Sequence, residues 1–233
     1  MTNVLDAKTH ELLLMVEGRG PQALEAFAQA LVAHGAKAEQ IELISMDMSP
    51  AYQSGASQFF PQAQIVFDRF HLMQMAGQAA DQIRKELARA GADLTGALWA
   101  LRGNEWTRSQ EQCQQRSALC NRYPKLGRAI GLRDMLQDIL ADEDQEALRW
   151  WRKRAKLSRL DPFRELAASI RQHRSGVAAF LKTRLTNGAI EAVNGLLQLA
   201  KRLARGFRSL RYFRIMAYLK AAGLHLDLSL IHI

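Results

Sequence analysis

The sequence changes character near residue 70, and this change limits the possible folds more than any other feature. Before it, short apolar runs that predict strands alternate with amphipathic helices: strands at 4–5, 11–16, 41–46 and 65–67, and helices at 21–33 and 50–60. Such alternation favours an α/β sheet. We expect the first two strands to form a hairpin across Asp6–His10. The run Ile41–Met46 is apolar apart from Glu42 and Ser45, which is typical of a central strand.

From His71 onward the pattern is helical throughout. Helices are predicted at about 71–90, 93–101, 107–121, 125–140, 143–156, 163–181, 187–204 and 209–224, separated by glycines at 91, 103 and 206 and prolines at 124 and 162. The last six residues, 228–233, match a translated adapter used in sequencing-library preparation, and we expect them to be non-native. The sequence therefore predicts an α/β core followed by a long α-helical section.

Positive charge is concentrated in one stretch of the chain. The formal net charge is +9, but residues 149–220 contain 18 Lys and Arg against 3 Asp and Glu. Such a block attracts polyanions, and nucleic acid is the commonest of them. The alternative is a helical surface that is basic only for solubility.

Several classes of protein are excluded. No apolar run approaches the length of a membrane span, and the start does not resemble a signal peptide, so we expect a cytoplasmic protein. The chain has two cysteines, Cys113 and Cys120, which excludes a disulfide scaffold or a cysteine-rich zinc module. Their spacing of seven places both on one helix face, where we expect small buried side chains.

Two aspartates come directly after predicted strands. Asp47 follows Ile41–Met46, and Asp68 follows Ile65–Phe67. If one helix joins these strands in a right-handed parallel crossover, both aspartates emerge at the edge where open α/β sheets bind ligands. A single Asp after a strand is more often a turn or a helix cap.

A third carboxylate, Glu191, has an unusual neighbourhood. It is the only acidic residue between Glu165 and Asp227. Helical spacing places it on one stripe with Asn187, Asn194, Gln198 and Lys201, opposite Ile190, Val193, Leu197 and Leu203. The stripe is either a solvated polar face or an inner surface where amides orient one carboxylate.

Two or three converging carboxylates are the ligands that hard divalent cations require. Mg²⁺ takes oxygen ligands and completes its shell with water and substrate phosphates. Paired ions of this kind support phosphodiester chemistry. We therefore expect Mg²⁺ or Mn²⁺ as cofactor and a phosphate-bearing substrate.

Other candidate residues have weaker signals. His71 stands three residues after Asp68, and it either modulates the site or simply caps a helix beside that carboxylate. Zinc is excluded there because no other His or Cys lies at ligand spacing. Basic side chains at Lys201, Arg202, Arg205 and Arg208 follow Glu191 and are positioned to hold a DNA backbone. Trp150 and Trp151, beside a second basic cluster, are expected to face a core more often than to stack on bases.

Three segments, 45–52, 60–71 and 186–194, together resemble the DDE domain of bacterial insertion-sequence transposases of the ISL-three group. The stretch 201–214 resembles the ending of that family's domain, and the similarity runs in order over residues 1–227. The resemblance implies a ribonuclease-H-like α/β core over 1–70, a large all-α insertion over 71–182, and C-terminal core helices over 183–227.

The same resemblance assigns roles. Asp47 matches the family's second catalytic aspartate and Glu191 its final glutamate, and both would bind the metal. Asp68, His71, Asn187 and Asn194 match accessory positions. The family's first catalytic aspartate lies on an earlier strand that has no counterpart here, and Asp6 is not assigned that role. We therefore expect a fragment, short at both ends.

The sequence supports one main function and two rivals. The first is metal-dependent DNA cleavage and strand transfer at insertion-sequence ends, with transposon ends and target DNA as partners, no membrane, and a possible homo-oligomer; the fragment alone would be inactive. The first rival is a non-enzymatic basic DNA-binding protein or inactive remnant. The second is a structure-specific nuclease that cuts without joining.

Overall fold

The structure is a computed structural model that describes residues 1–101 and 107–221. They fall into two compact units, one formed by residues 1–65 with 185 onward and the other by residues 66–184. In chain order the elements are β1 (Thr2–Leu5), β2 (Leu12–Val16), α1 (Pro21–Ala33), a 3-10 turn (Ala38–Gln40), β3 (Leu43–Met46), α2 (Pro50–Phe59), β4 (Gln64–Phe67), α3 (Arg69–Arg89), α4 (Ala97–Leu101), α5 (Gln110–Arg122), α6 (Pro124–Asp142), α7 (Gln145–Leu157), α8 (Asp161–Gln172), α9 (Arg174–Thr183), α10 (Gly188–Leu203) and α11 (Leu210–Ala221).

The first unit is built on the predicted hairpin. β1 and β2 pair antiparallel, with Thr2 opposite Val16 and Val4 opposite Leu14. α10 packs on β1 and α11 on β2. Their apolar faces bury a small core of Leu12, Met15, Leu197 and Ala217, with partly buried hydrophobics packed around it. Since a two-stranded hairpin is marginal alone, these two helices supply much of the buried area that stabilises it.

The rest of the first unit is a helix pair beside a second strand pair. α1 packs on α2 where Gly55 permits close approach, because a Cβ there would lie 2.8 Å from the Pro21 Cα. The Phe27 and Phe60 rings meet with centroids 5.6 Å apart. β3 pairs with β4, and the Gln64 N–H donates to the Glu42 carbonyl over 2.8 Å.

The second unit is helical apart from the end of β4. α3 packs against α6 and α8. From α4 to α9, each helix packs against the next helix in the chain. Trp151 is fully buried, and its Nε1 donates to the Leu132 carbonyl over 2.8 Å. The hydrogen bond satisfies the indole N–H, which is the only polar group of the side chain. Burial of the indole ring stabilises the contact between α6 and α7. None of the described helices combines the length and apolarity that a membrane crossing requires.

Some expectations about the fold are wrong. β3 is not a central strand within the described residues, because it pairs with β4 alone and Leu43 is 38% exposed. The helix expected at 163–181 is two helices that break at His173, whose φ of −99° and ψ of 24° end α8. The break lets α9 bring Gly176 against the Phe67 ring, and no Gly or Pro marks it in the sequence.

One expectation about burial is also wrong. Cys113 and Cys120 share α5 as predicted, but Cys113 is exposed and only Cys120 is partly buried. The expected break at Gly103 and the expected non-native tail at 228–233 lie outside the described residues.

Candidate functional site

Asp47 is presented at the carboxyl end of β3. Its neighbours Met46 and Met48 are both buried, and strand-like alternation therefore turns Asp47 to the opposite side, where it is exposed. Its Oδ1 accepts from the Ser49 N–H over 3.2 Å, which holds the turn that leads into α2. The start of α2 is further fixed by Pro50 at the first helical position.

Glu191 lies in the first turn of α10 and is exposed. The Asn187 carbonyl accepts the Glu191 N–H over 3.0 Å, so the helix begins one turn before the carboxylate. A carboxylate in a first helical turn is stabilised by the unpaired N–H groups and by the helix dipole.

Two amide side chains hold α10 against the strands of the first unit. Ser45 Oγ donates to Asn187 Oδ1 over 2.6 Å, although these residues are 142 positions apart. Asn3 Nδ2 donates to Asn194 Oδ1 over 2.7 Å. Asn187 and Asn194 stand one turn on either side of Glu191. The amides on the stripe therefore contact β3 and β1 rather than solvent alone.

The Ser45–Asn187 hydrogen bond bounds the position of both candidate carboxylates. Ser45 is two residues before Asp47, about 7 Å along an extended chain. Asn187 is four residues before Glu191, about 6 Å along a helix. The same contact thus fixes the backbone near Asp47 and the backbone near Glu191 within one compact unit.

The side chain of Asp6 stabilises the turn between β1 and β2. It ends β1, and its Oδ1 accepts the Lys8 N–H over 2.6 Å and the Thr9 N–H over 2.9 Å. The hydrogen bonds from Thr9 and then Lys8 lower the pKa of Asp6 below its ordinary value. This arrangement explains the residue as the organiser of the hairpin turn.

Asp68 and His71 belong to the second unit. Asp68 precedes α3 and is 3% exposed, yet its carboxylate makes no side-chain cap to that helix. His71 is half-buried in the first turn, and within the described residues no hydrogen bond joins it to Asp68. The structure therefore does not support the interpretation that His71 only caps the helix while hydrogen-bonded to Asp68.

The predicted DNA-binding cations are all exposed. Lys201 and Arg202 lie in the last turn of α10, and Arg205 and Arg208 follow it. Arg205 has a φ of 51° and Gly206 a φ of 97°, and the Gly206 N–H donates to the Lys201 carbonyl over 2.9 Å. This left-handed ending terminates the helix while it leaves the cations in solvent. Of the two tryptophans, Trp151 faces the core, whereas Trp150 is 52% exposed with the Arg154 guanidinium over its ring.

Sequence reasoning missed two residues of this region, Asn3 and Ser45. Both form the hydrogen bonds that hold α10, and Ser45 had been noted only as a polar interruption of an apolar strand. A hydroxyl in an otherwise apolar strand needs a hydrogen-bond partner where it is buried, and this requirement is the signal that the sequence offers.

The donor chemistry fits a hard cation only in part. Among residues 1–101 and 107–221, no group of three or more His, Cys, Asp or Glu side chains is placed to hold a metal ion. Asp47 and Glu191 nevertheless present carboxylate oxygens on one unit. Mg²⁺ is commonly bound through one or two carboxylates, with waters and substrate phosphates in the other positions.

Comparison with known proteins decides the family. Residues 1–217 match the model of the ISL3 (ISL-three) group of DDE transposases, which is described as a transposase. The chain belongs to this transposase family. It is 29% identical to the transposase for insertion sequence element IS1557 of Mycobacterium tuberculosis, over 96% of the chain and 57% of the relative. It is 25% identical to the transposase for IS1001 of Bordetella parapertussis, over 91% of the chain and 55% of the relative.

This transposase chain thus spans little more than half the length of the curated relatives it matches. No solved structure matches it significantly. The family is therefore established by sequence.

Proposed function

We propose that the chain forms the catalytic domain of a DDE transposase, in which Asp47 and Glu191 are two of the carboxylates that act on DNA at insertion-sequence ends. The hydrogen bond between Ser45 and Asn187 carries the proposal, because it ties the strand that bears Asp47 to the helix that bears Glu191. Under this proposal residues 1–70 form a ribonuclease-H-like core, 71–182 a helical insertion, and 183–227 the helices that return Glu191 to the core.

Asp47 and Glu191 would hold Mg²⁺ or Mn²⁺. A divalent ion bound there would activate the attacking oxygen and stabilise the leaving oxygen in phosphodiester cleavage and strand transfer. The protein contributes position: Asn187 and Asn194 hold α10 on the strands, so the backbone that carries Glu191 is held in place before any ligand arrives. Preorganised carboxylates avoid the entropy cost of assembling the site during the reaction.

The remaining residues have supporting roles in this proposal. Asp68 and His71 are accessory groups, and Lys201, Arg202, Arg205 and Arg208 neutralise DNA phosphates without reading sequence. Transposon ends and target DNA are the partners, and assembly into a homo-oligomer and a cytoplasmic location belong to the same proposal.

Paramagnetic titration tests the shared ion. Mn²⁺ added to the ¹⁵N-labelled chain should broaden amide resonances around residue 47 and around residue 191 with one common affinity. Asp47→Asn and Glu191→Gln should each weaken both effects. Glu17→Gln, which removes an exposed carboxylate of the same unit, should change neither. Broadening near only one carboxylate, or with two unrelated affinities, would contradict the shared site.

The alternative of a non-enzymatic DNA-binding protein is favoured by one observation, namely that the described residues contain no three-ligand cluster. In a strand-transfer assay on a labelled insertion-sequence end with Mg²⁺, we expect the chain of 233 residues to be inactive alone, because one carboxylate has no assigned counterpart. DNA affinity separates the two hypotheses: under the proposal it depends on Mg²⁺ and falls after Asp47→Asn or Glu191→Gln. Under the alternative, DNA affinity would be the same with and without Mg²⁺ and after either substitution.

A further inference from the structure

A wide groove runs between α7, α8 and α9 of the second unit. Its volume is about 1030 Å³, at the upper end of the range for small-molecule sites. Buried apolar residues, among them Leu148, Ile170 and Val177, form its floor. Seven basic residues line it: Arg149, Arg152, Lys153, Lys156, Arg164, Arg171 and Arg174. No acidic residue lines it.

The cations come from three helices but form one surface. Arg149, Arg152, Lys153 and Lys156 stand at spacings of three, four and seven on α7, which places them on one face. α7 packs on α8 and α8 on α9, so Arg171 and Arg174 line the groove from the other two helices. This convergence requires the fold, because the three helices are separate in the sequence.

Most of these charges have no counter-charge nearby. Arg164 donates to Asp161 over 3.1 Å and to the Lys156 carbonyl over 3.2 Å. None of the other six forms an ion pair with a residue that the structure describes. Six uncompensated cations around one concavity repel one another and focus a positive potential there.

The guanidinium groups that line the groove indicate the chemistry of the missing partner. Arg152 Nε is buried and has no hydrogen-bond acceptor among the described residues. Leaving such a donor unpaired is unfavourable. Phosphate oxygens satisfy guanidinium donors with short, charge-assisted hydrogen bonds.

We propose that the α7–α9 groove binds the phosphate backbone of duplex DNA, as a contact surface formed entirely by the second unit. The family favours DNA over other polyanions. The four cations on α7 cover about 10 Å of helix, which matches about three phosphates of one strand at 3.4 Å of duplex axis each. Binding here is independent of sequence and needs neither Asp47 nor Glu191.

Salt-dependent DNA binding tests the groove. Fluorescence anisotropy with a labelled 30-base-pair duplex of arbitrary sequence is recorded in EDTA over a series of salt concentrations. The triple variant Arg149→Gln/Arg171→Gln/Arg174→Gln should bind on the order of 10²-fold more weakly at about 0.1 M salt. Its slope of log affinity against log salt should fall by about 3, since each lost phosphate contact removes about one unit.

Matched variants separate the groove from total charge. Arg19→Gln/Lys37→Gln/Arg89→Gln removes the same charge from exposed residues outside the groove and should leave the slope nearly unchanged. The variant Arg149→Lys/Arg171→Lys/Arg174→Lys keeps the charge of the groove. It should retain most of the slope of log affinity against log salt. Tryptophan fluorescence confirms that each variant is folded, because all four tryptophans of the sequence lie between residues 99 and 151.

Equal losses in the groove and control variants would overturn the proposal. A groove variant that binds DNA normally but loses affinity for vesicles of anionic phospholipid would overturn it too and assign the groove to membranes. Because EDTA removes divalent ions, this result does not depend on the carboxylates. Failure of the Mn²⁺ titration would therefore contradict only the metal site, and failure of the DNA-binding test would contradict only the groove.

Discussion

Gly176 in α9 is the position where one methyl group should be most damaging. A Cβ built there would lie 2.3 Å from Phe67 Cδ2 and 2.6 Å from Phe67 Cε2. Phe67 is 3% exposed, so its ring cannot swing into solvent, and it also meets the ring of His173 with centroids 5.2 Å apart. Gly176→Ala therefore forces a buried ring or a helix to shift by more than 1 Å.

Two opposing effects set the magnitude. Replacing a helical glycine by alanine stabilises a helix by about 0.5–1 kcal/mol. Overpacking a core costs about 1–3 kcal/mol. Since the contact is far inside van der Waals distance, we expect the upper part of that range to apply. The net result is a destabilisation of about 1–2 kcal/mol.

Urea unfolding followed by tryptophan fluorescence measures this effect, because every tryptophan lies within the sequence of the second unit. Gly131→Ala is the matched control: Gly131 is in α6 of the same unit, and a Cβ there meets nothing within 4 Å. It should stabilise by about 0.5–1 kcal/mol. Phe67→Leu should be destabilising alone. Gly176→Ala should then cost less in the Phe67→Leu background than in the wild-type protein, because the smaller side chain removes the clash. Similar gains in stability for Gly176→Ala and Gly131→Ala would refute the reasoning.

Two further predictions concern titratable groups. Because the backbone N–H groups of Thr9 and Lys8 lower the pKa of Asp6, its charge stabilises the folded hairpin above the ordinary aspartate pKa of about 3.9, and this stabilisation is lost as the pH falls through the lowered folded value. Asp6→Asn should therefore lower the unfolding free energy at neutral pH but not at pH 2, as measured by urea unfolding across pH; a difference that is constant with pH would contradict this. Burial raises the pKa of the Cys120 thiol, whereas Cys113 is exposed, so iodoacetamide at pH 8 should modify Cys113 first, as read by peptide mass spectrometry, and Cys120→Ala should not slow the fast reaction.

Local patterns were enough to predict most elements. The hairpin follows from two short apolar runs around a turn whose Asp6 accepts two N–H groups, and α1, α2 and α6 each begin at a proline. These signals act within a few residues, so they can be recognised without knowledge of the tertiary contacts. The break at His173 has no such signal in the sequence, and the close approach of Gly176 to Phe67 that follows it joins residues over a hundred positions apart.

The residue types of the candidate site could be proposed from the sequence, but the hydrogen bonds that support them could not. Asp47 and Glu191 were marked by position, one after a strand and one in an amide stripe. Their link through Ser45 and Asn187 joins residues 142 apart and cannot be obtained from spacing. The α7–α9 groove shows the same limit, since its α7 stripe is visible in the sequence but Arg171 and Arg174 join it only through helix packing.

The distribution of charge along α10 resolves a conflict between the two tasks proposed for it. A carboxylate that binds a metal ion must not be neutralised by a neighbouring cation, whereas a DNA-binding surface needs cations. Lys201 shares the stripe of Glu191 but lies ten residues further on, about 15 Å along the helix. That separation exceeds the Debye length of about 8 Å at physiological salt, so under the proposed function Lys201 would attract phosphate with little direct effect on Glu191. Between them the stripe carries only Asn194 and Gln198, and the contacts of Asn187 and Asn194 that hold the helix are made by neutral groups. Replacing those amides with charged residues would couple the two tasks that their neutrality keeps apart.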